Sequence, residues 1–324
     1  MKVSIIIPTY KRANFIKRAI DSVLKQTYKN LELIIVDDNN PGDESRYTME
    51  AIISQYNDER LIYLKHEKNM NGATARNTGI AKATGEYITF LDDDDFFLND
   101  RIKKLVEVME NEKEYDCAYT GVVKVKNGNI VDVQYSNLDG NLQKNMLMQK
   151  SFFYTGSNLF FRAKALRDIG GFDTTFKRYQ DIEVMVRFFR KYKIKYVNDF
   201  SVVKDDSSRI NLPNTEQIIK IKKYFLDTFK CDIENYDDKN KIYLEVYNSM
   251  INLIPKKDER YVKMIQESKK YGKVKINHFR ILKEKQFFIK KIYKCLKGKI
   301  KLKRYIDLKK QKDIIEYLSD YKLV

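Results

Sequence analysis

The feature that most constrains this chain is an alternation of two hydrophobic patterns along its opening third. Val3–Ile7 is a continuous apolar run closed by Pro8, and Leu31–Val36 is another, stopped by Asp37, Asp38 and Asn39. Such runs read as strands buried on both faces. Between them, Asn14–Gln26 places Phe15, Ile16, Ala19, Ile20, Val23 and Leu24 at helical spacing, with Asn14 as the expected N-cap. The alternation continues with a helix over Glu44–Tyr56, a strand over Leu61–Leu64 and a helix over Ala73–Ala83 that stops at Gly85. A strand over Tyr87–Leu91 and a helix over Asp100–Asn111 follow. Strands alternating with helices predict an α/β fold, with a mainly parallel central sheet flanked by helices on both faces.

The pattern then changes. Cys117–Val125, Asn127-Gly128 and Ile130–Tyr135 read as a hairpin with an Asn-Gly turn. Further on come a strand near Asn158–Phe161, a helix over Ala163–Asp168, a Gly170-Gly171-Phe172-Asp173 turn, a helix over Asp181–Tyr192 and a strand near Ile194–Val197. From Asn214 onward the periodicity is helical. The expected boundary is the loop Lys204–Pro213, giving a first domain over 1–210 and a basic helical region over 211–324.

Composition excludes several classes. Three widely spaced cysteines with no Cys-x-x-Cys pair make neither a disulfide framework nor a cysteine zinc site. Two histidines, His66 and His278, leave little for a histidine metal centre; we read His66 as a structural strand-end residue and His278 as surface. The net charge of +17 is uneven: residues 271–324 hold 17 Lys and Arg against 5 Asp and Glu. A nucleic-acid footprint over the whole chain would not be distributed that way, so no nucleic-acid partner is expected. The opening apolar run is too short for a signal-peptide core, and no stretch approaches the ~20 apolar residues of a spanning helix. The expected location is cytoplasmic, or peripheral on the cytoplasmic face of a membrane.

Ligands of open parallel sheets bind at the carboxyl ends of the strands. Three polar clusters sit there: Pro8-Thr9-Tyr10-Lys11-Arg12, Asp37-Asp38-Asn39-Asn40 and Asp92-Asp93-Asp94-Asp95. Four adjacent carboxylates repel one another unless a cation neutralises them. Their hard oxygens suit Mg2+ or Mn2+, which in turn bind phosphate; the alternative is a solvated loop or carboxylates gathered at a helix N-terminus. Asp38 offers acceptors to a ribose hydroxyl or a base imide, or serves the loop. Tyr10 is either a stacking platform for a base or an ordinary half-buried aromatic. Arg76, one turn into a helix that opens with small residues, pairs with a phosphate or with the acidic cluster itself.

The order IIIPTY, LELIIVDDNN, GATARNTGIAKATGEYITFLDDDD, TGSNLFFRAKALRDIGGFD and YQD resembles the inverting glycosyltransferase family 2, with the GT-A fold, over about residues 1–210. The resemblance implies a catalytic domain over 1–210, with 1–110 as the nucleotide-binding half and 111–210 as the acceptor-side half, a nucleotide-sugar donor, a UDP-sugar foremost, and Mn2+ or Mg2+ held by an Asp-x-Asp-type motif. It places Pro8, Thr9, Tyr10 and Asp38 around the base and ribose, and Arg76 near the donor's nucleotide or phosphate. Asp92, Asp93 and Asp94 match the Asp-x-Asp region, with Asp94 as the foremost metal ligand and Asp92 beside it. It implies Asp181 as general base. The family's Glu-Asp pair reads Gln180-Asp181 here, so one charge beside the base is lost. A carboxylate at a helix N-terminus is also an ordinary cap.

The expected activity is metal-dependent transfer of one hexosyl or N-acetylhexosaminyl unit, with inversion, to a hydroxyl of a glycan or lipid-linked acceptor in cell-surface polysaccharide synthesis. The chain has no Trp for the Gln-x-x-Arg-Trp motif of processive family members. Lys204 or Arg209 stands where members often carry a mobile loop over the donor. The alternatives are a nucleotidyltransferase, against which the lack of Gly in Pro8–Arg12 counts, or a non-catalytic basic module binding nucleic acid or a membrane surface. Residues 281–306 interleave apolar residues at helical spacing with lysines, as a helix lying on an anionic membrane would; packing on the catalytic domain is the other reading.

Overall fold

A computed structural model of the chain describes residues 1–208 and 213–273. The chain divides into two compact units, Met1–Ile210 and Asn211–Val324. The first opens with β1 (Val3–Thr9), α1 (Ala13–Leu24), β2 (Leu31–Asp37), α2 (Glu44–Ile53), β3 (Leu61–Lys65), α3 (Gly72–Lys82), β4 (Tyr87–Phe90), β5 (Phe96–Phe97) and α4 (Arg101–Asn111). It continues with β6 (Cys117–Tyr119), β7 (Val122–Lys126), β8 (Asn129–Gln134), α5 (Gln143–Leu147), β9 (Phe160–Arg162), α6 (Ala163–Asp168), α7 (Gln180–Phe188), β10 (Ile194–Tyr196) and β11 (Val202–Asp205).

The main sheet has seven strands in the order β10-β6-β9-β4-β1-β2-β3. All neighbours are parallel except β9, which runs antiparallel between β4 and β6. Every residue of β2 is buried, and β1 is buried apart from Pro8; helices cover both faces, so no polar alternation is needed. In register, Thr9 lies beside Asp37 and Asp37 beside Lys65. The Leu91 N–H donates to the Ile6 carbonyl at 3.0 Å, which brings the aspartate run level with the end of β1. The carboxyl ends of β1, β2 and β4 therefore form one rim.

Helix packing follows from side-chain size. α1 buries Ile16, Ala19, Ile20 and Val23, and α4 buries Ile102, Leu105, Val106 and Met109, on the core side of their apolar stripes. α3 instead buries Ala73, Ala75, Gly79 and Ile80. A Cβ on Gly79 would meet Ile6 Cγ2 at 2.4 Å, so this helix lies flush against the sheet. That closeness carries Arg76 to the rim.

Two expectations need correction. Asn14 is not the cap of α1: the helix begins at Ala13, with Arg12 in the cap position and no side-chain cap bond. Cys117–Val125 is not one strand either. The chain leaves the main sheet after Tyr119 and enters a second, four-stranded sheet, β5-β11-β7-β8. The break falls at Gly121, where a Cβ would meet the Phe200 ring at 2.4 Å. The hairpin forms at Asn127 and Gly128, both with positive φ (51° and 77°), as a tight turn of this type requires.

The second unit contains α8 (Thr215–Thr228), α9 (Lys230–Glu234), α10 (Lys239–Ile251) and α11 (Glu259–Ser268). α8 starts in a capping box between Asn214 and Gln217. Phe225, Phe229, Ile233, Val246 and Met250 are buried within the unit, and Tyr243 stacks on Tyr271 at 4.2 Å between ring centroids. No helix among the described residues is long and apolar enough to cross a membrane. Residues 281–306, Arg209 and His278 lie outside the described residues.

Candidate active site

The end of β1 turns sharply. Thr9 is buried and its Oγ1 donates to Asp93 Oδ2 at 2.8 Å. Tyr10 is 39% exposed, with the Lys11 ammonium 5.2 Å from its ring centre. Pro8 is half-buried within the strand, opposite Val36.

At the end of β2 both aspartates are built into the protein. Asp37 pairs with Arg46 at 3.1 Å and accepts from the Asn39 backbone at 2.9 Å. Asp38 is 2% exposed. Its carboxylate accepts from Asn69 Nδ2 at 2.8 Å, the Met70 N–H at 2.7 Å and the Asn71 N–H at 3.0 Å, and meets His66 Nδ1 at 2.7 Å. Asn71 in turn caps α3, accepting from the Ala73 and Thr74 N–H groups. Asp38 thus holds the segment that launches α3, the loop role that the sequence reading leaves open beside a contact to ribose or base. His66 completes the same support, its Nε2 reaching Thr78 Oγ1 at 2.9 Å.

The four aspartates after β4 resolve their mutual repulsion by alternating. Asp92 and Asp94 are partly exposed, while Asp93 and Asp95 are buried. Asp92 pairs with Arg76 at 2.7 Å. Asp94 pairs with Arg12, and its carbonyl accepts from Arg18 at 2.8 Å. Asp93 faces Thr9, and burial, with Asp94 adjacent, pushes its pKa up to about 7. Asp95 accepts from Ser157 Oγ at 2.8 Å, and burial raises its pKa as well. The Ser157 hydroxyl also accepts the Asp92 N–H at 3.0 Å, so one side chain pins both ends of the run. Arg12 and Arg18 were not legible as partners of this cluster, because nothing in their local sequence records contacts with a segment so distant in the chain.

Asp181 is the second residue of α7, not its cap. The cap position is Tyr179, whose φ of 61° is left-handed. Asp181 Oδ1 accepts the Ile182 N–H at 3.0 Å. Burial raises its pKa above the ordinary carboxylate value, opposed by that N–H and by the charges of Arg76 and Lys204. Lys204, on β11, thus acts electrostatically on the site from the second sheet. Gln180 Oε1 accepts from Arg76 at 2.9 Å, and its Nε2 donates to the Phe176 carbonyl at 2.8 Å. The second of these bonds needs an amide, since a carboxylate has no proton to give.

Arg76, Asp92 and Asp181 meet in one cleft of about 330 Å3. Three sequence segments far apart in the chain are brought together there. Pro8, Thr9, Tyr10, Asp38, Asp93 and Asp94 do not line this cleft. No three His, Cys, Asp or Glu side chains gather into a metal cage among the described residues. Asp92 and Asp94 nonetheless offer the hard oxygens that Mg2+ and Mn2+ take, and such ions commonly use only one or two carboxylates beside substrate phosphates.

The description "Glycosyl transferase family 2" fits residues 4–170, just over half of the chain. Curated glycosyltransferase relatives from Rickettsia are 40–44% identical over their matched segments, but this chain spans only about a fifth of their length. The UDP-Glc:alpha-D-GlcNAc-diphosphoundecaprenol beta-1,3-glucosyltransferase WfaP of Escherichia coli is 40% identical over 113 residues, covering 35% of this chain and 43% of that one. Among solved structures, S. aureus TarS 1-349 in complex with UDP-GlcNAc superposes with a TM-score of 0.62 at 18% identity, over 84% of this chain and 82% of that one. The mannosyltransferase PcManGT of Pyrobaculum calidifontis, in complex with GDP-Man and Mn2+, gives 0.56 at 19% identity, over 84% and 76%. At these identities the two structures establish the fold, GT-A, and nothing finer. Together with the extent of the family match, they lead to one conclusion: this chain belongs to glycosyl transferase family 2.

Proposed function

We propose that the chain transfers one sugar from a UDP-sugar to a hydroxyl of a glycan or lipid-linked acceptor, with inversion at the anomeric carbon. The observation that carries this reading is the meeting of Asp181, Asp92 and Arg76 in a single cleft. Asp181 takes the proton of the acceptor hydroxyl as that oxygen bonds to the anomeric carbon. The bond from that carbon to the diphosphate breaks at the same time, and the nucleoside diphosphate leaves. The raised pKa of Asp181 makes it a stronger base than an ordinary carboxylate. Arg76, bridging Asp92 and Gln180, fixes the cleft's two carboxylate-bearing walls. Asp92 and Asp94 would hold Mg2+ or Mn2+, which would supply positive charge to the departing diphosphate. In this reading Pro8, Thr9 and the exposed ring of Tyr10 serve the nucleotide, and Asp93 holds the end of β1 through Thr9.

The names of similar proteins favour this donor and acceptor: one contains UDP-Glc and a diphosphoundecaprenol-linked sugar, another was seen with UDP-GlcNAc. The reading extends to polysaccharide synthesis on the cytoplasmic side of a membrane, with the interleaved basic and apolar residues of 281–306 as the proposed docking segment. The experiment is a screen of nucleotide sugars by thermal shift with Mn2+, followed by transfer assays with the donor that stabilises the fold. Stabilisation by no nucleotide sugar contradicts the reading.

A further inference from the structure

We infer that Asp95, buried below the cleft, is a positioning residue that sets the spacing between the wall carrying Asp92 and the wall carrying Asp181. The inference rests on the glycosyl-transfer reading and adds a residue to it. Asp95 is 2% exposed and does not line the cleft, so it touches no substrate. A carboxylate taken out of water is destabilising unless donors converge on it. Its Oδ2 accepts from Ser157 Oγ at 2.8 Å and from Thr155 Oγ1 at 3.3 Å, and its Oδ1 accepts the Asp205 N–H at 3.3 Å. Three donors from two remote segments therefore meet on one side chain.

What those segments touch gives the bonds their meaning. Thr155 and Ser157 are the cap and the middle of the 3-10 turn Gly156–Asn158. That turn meets both walls. On one side, Ser157 Oγ accepts the Asp92 N–H at 3.0 Å. On the other, Gly156 lines the cleft, and a Cβ placed on it would stand 3.7 Å from the Cβ of Asp181. The turn is thus a spacer between the two carboxylates, and Asp95 fastens it. Asp205, the third donor, directly follows Lys204, whose charge acts on Asp181.

The arrangement calls for a carboxylate. The Ser157 oxygen already accepts from Asp92, so its proton needs an acceptor, and the Asp205 N–H needs another. Two acceptor oxygens supply both. An amide of the same shape has only one. Its NH2 group must face either the Asp205 N–H or the two hydroxyls, and in either case a bond that holds the turn is lost. Misplacement of reacting groups by about 1 Å is worth about 10²-fold in rate, so a loosened spacer shows first in turnover.

The test compares Asp95→Asn, Ser157→Ala and the double variant of the full chain by steady-state kinetics and by amide hydrogen exchange. Asp95→Asn should lower kcat about tenfold or more while the donor KM and the melting temperature stay near the wild-type values. The double variant should lose no more than the worse single one, because both act through the same turn. Amides of residues 153–159 should exchange faster in Asp95→Asn, and those of the buried strand Leu31–Asp37 should not change. If Asp95→Asn does not fold, Ser157→Ala carries the test, with the same fall in kcat at unchanged donor KM. An unchanged kcat overturns the inference, as do additive losses in the double variant. Donor affinity, stability and rate falling together also overturn it, by making Asp95 merely structural. Unchanged exchange over residues 153–159 overturns it without any turnover, so failure of the transfer reading is seen separately, as a wild type that transfers from no nucleotide sugar.

Discussion

Arg76 donates to Gln180 at 2.9 Å while its other terminal nitrogen holds Asp92 at 2.7 Å. The residue directly before Asp181 is thereby tied to the end of β4. The Gln that stands where the family pattern has Glu keeps this tie, and its amide adds the bond to Phe176.

Arg76→Ala should lower kcat/KM for transfer about 10²-fold, the scale of losing one preorganised donor. Arg76→Lys should recover only part of the loss, because one ammonium cannot reproduce the two-sided fork. Steady-state kinetics on the two variants checks this; full activity in Arg76→Lys would contradict the bridging role.

Chelation with EDTA should abolish transfer, and added Mn2+ should restore it. Asp94→Ala should then need far more Mn2+ for half-maximal rate than the wild type. Because Arg12 also neutralises Asp94, circular dichroism should be unchanged by EDTA.

Glu32 predicts acid sensitivity. It is 3% exposed; burial alone would raise its pKa, but Lys2 at 2.5 Å, Ser4 at 2.6 Å and two bonds from Thr84 hold it down at about 2. A pKa depressed in the folded state stabilises the fold above the unfolded value, about 4.3, and the gain is lost as pH falls towards 2. Glu32→Gln should cost about 2 kcal/mol at pH 7 and almost nothing near pH 2, read by denaturant titration at both pH values.

Gly79→Ala should destabilise the first unit by about 1–3 kcal/mol, the usual cost of forcing a methyl into a packed site. Ile6, the residue it would strike, is fully buried in β1 and cannot swing aside. A neutral result by thermal denaturation would mean that α3 can lift from the sheet.

How far the sequence discloses this molecule depends on how local each signal is. The parallel core was legible because Val3–Ile7 and Leu31–Val36 are unbroken apolar runs, and the rim followed from what comes after them. Asp92, Arg76 and Asp181 were singled out by their residue types and order, and the structure brings the three into one cleft. Which of the two roles open to Asp38 its carboxylate takes up was not legible, because its partners arrive from Asn69–Asn71 and nothing near residue 38 records that. β5 and β11 were missed because they are two and four residues long and pair across about a hundred positions. Gly121 could have signalled the break after β6, since a glycine inside an apolar strand often marks close approach of other atoms.

The central claim is that Asp181 is the base, and Asp181→Asn tests it most directly. Its raised pKa means that the folded protein holds the ionised form at a cost above the ordinary carboxylate value. The variant should therefore melt at or above the wild-type temperature at pH 7, bind UDP-sugar with unchanged affinity and lose at least about 10²-fold in turnover. In the wild type, turnover should fall with decreasing pH through a pKa above that of an ordinary Asp. An Asp181→Asn variant that transfers sugar at near wild-type rate, or one that loses donor affinity and thermal stability together, would contradict the account.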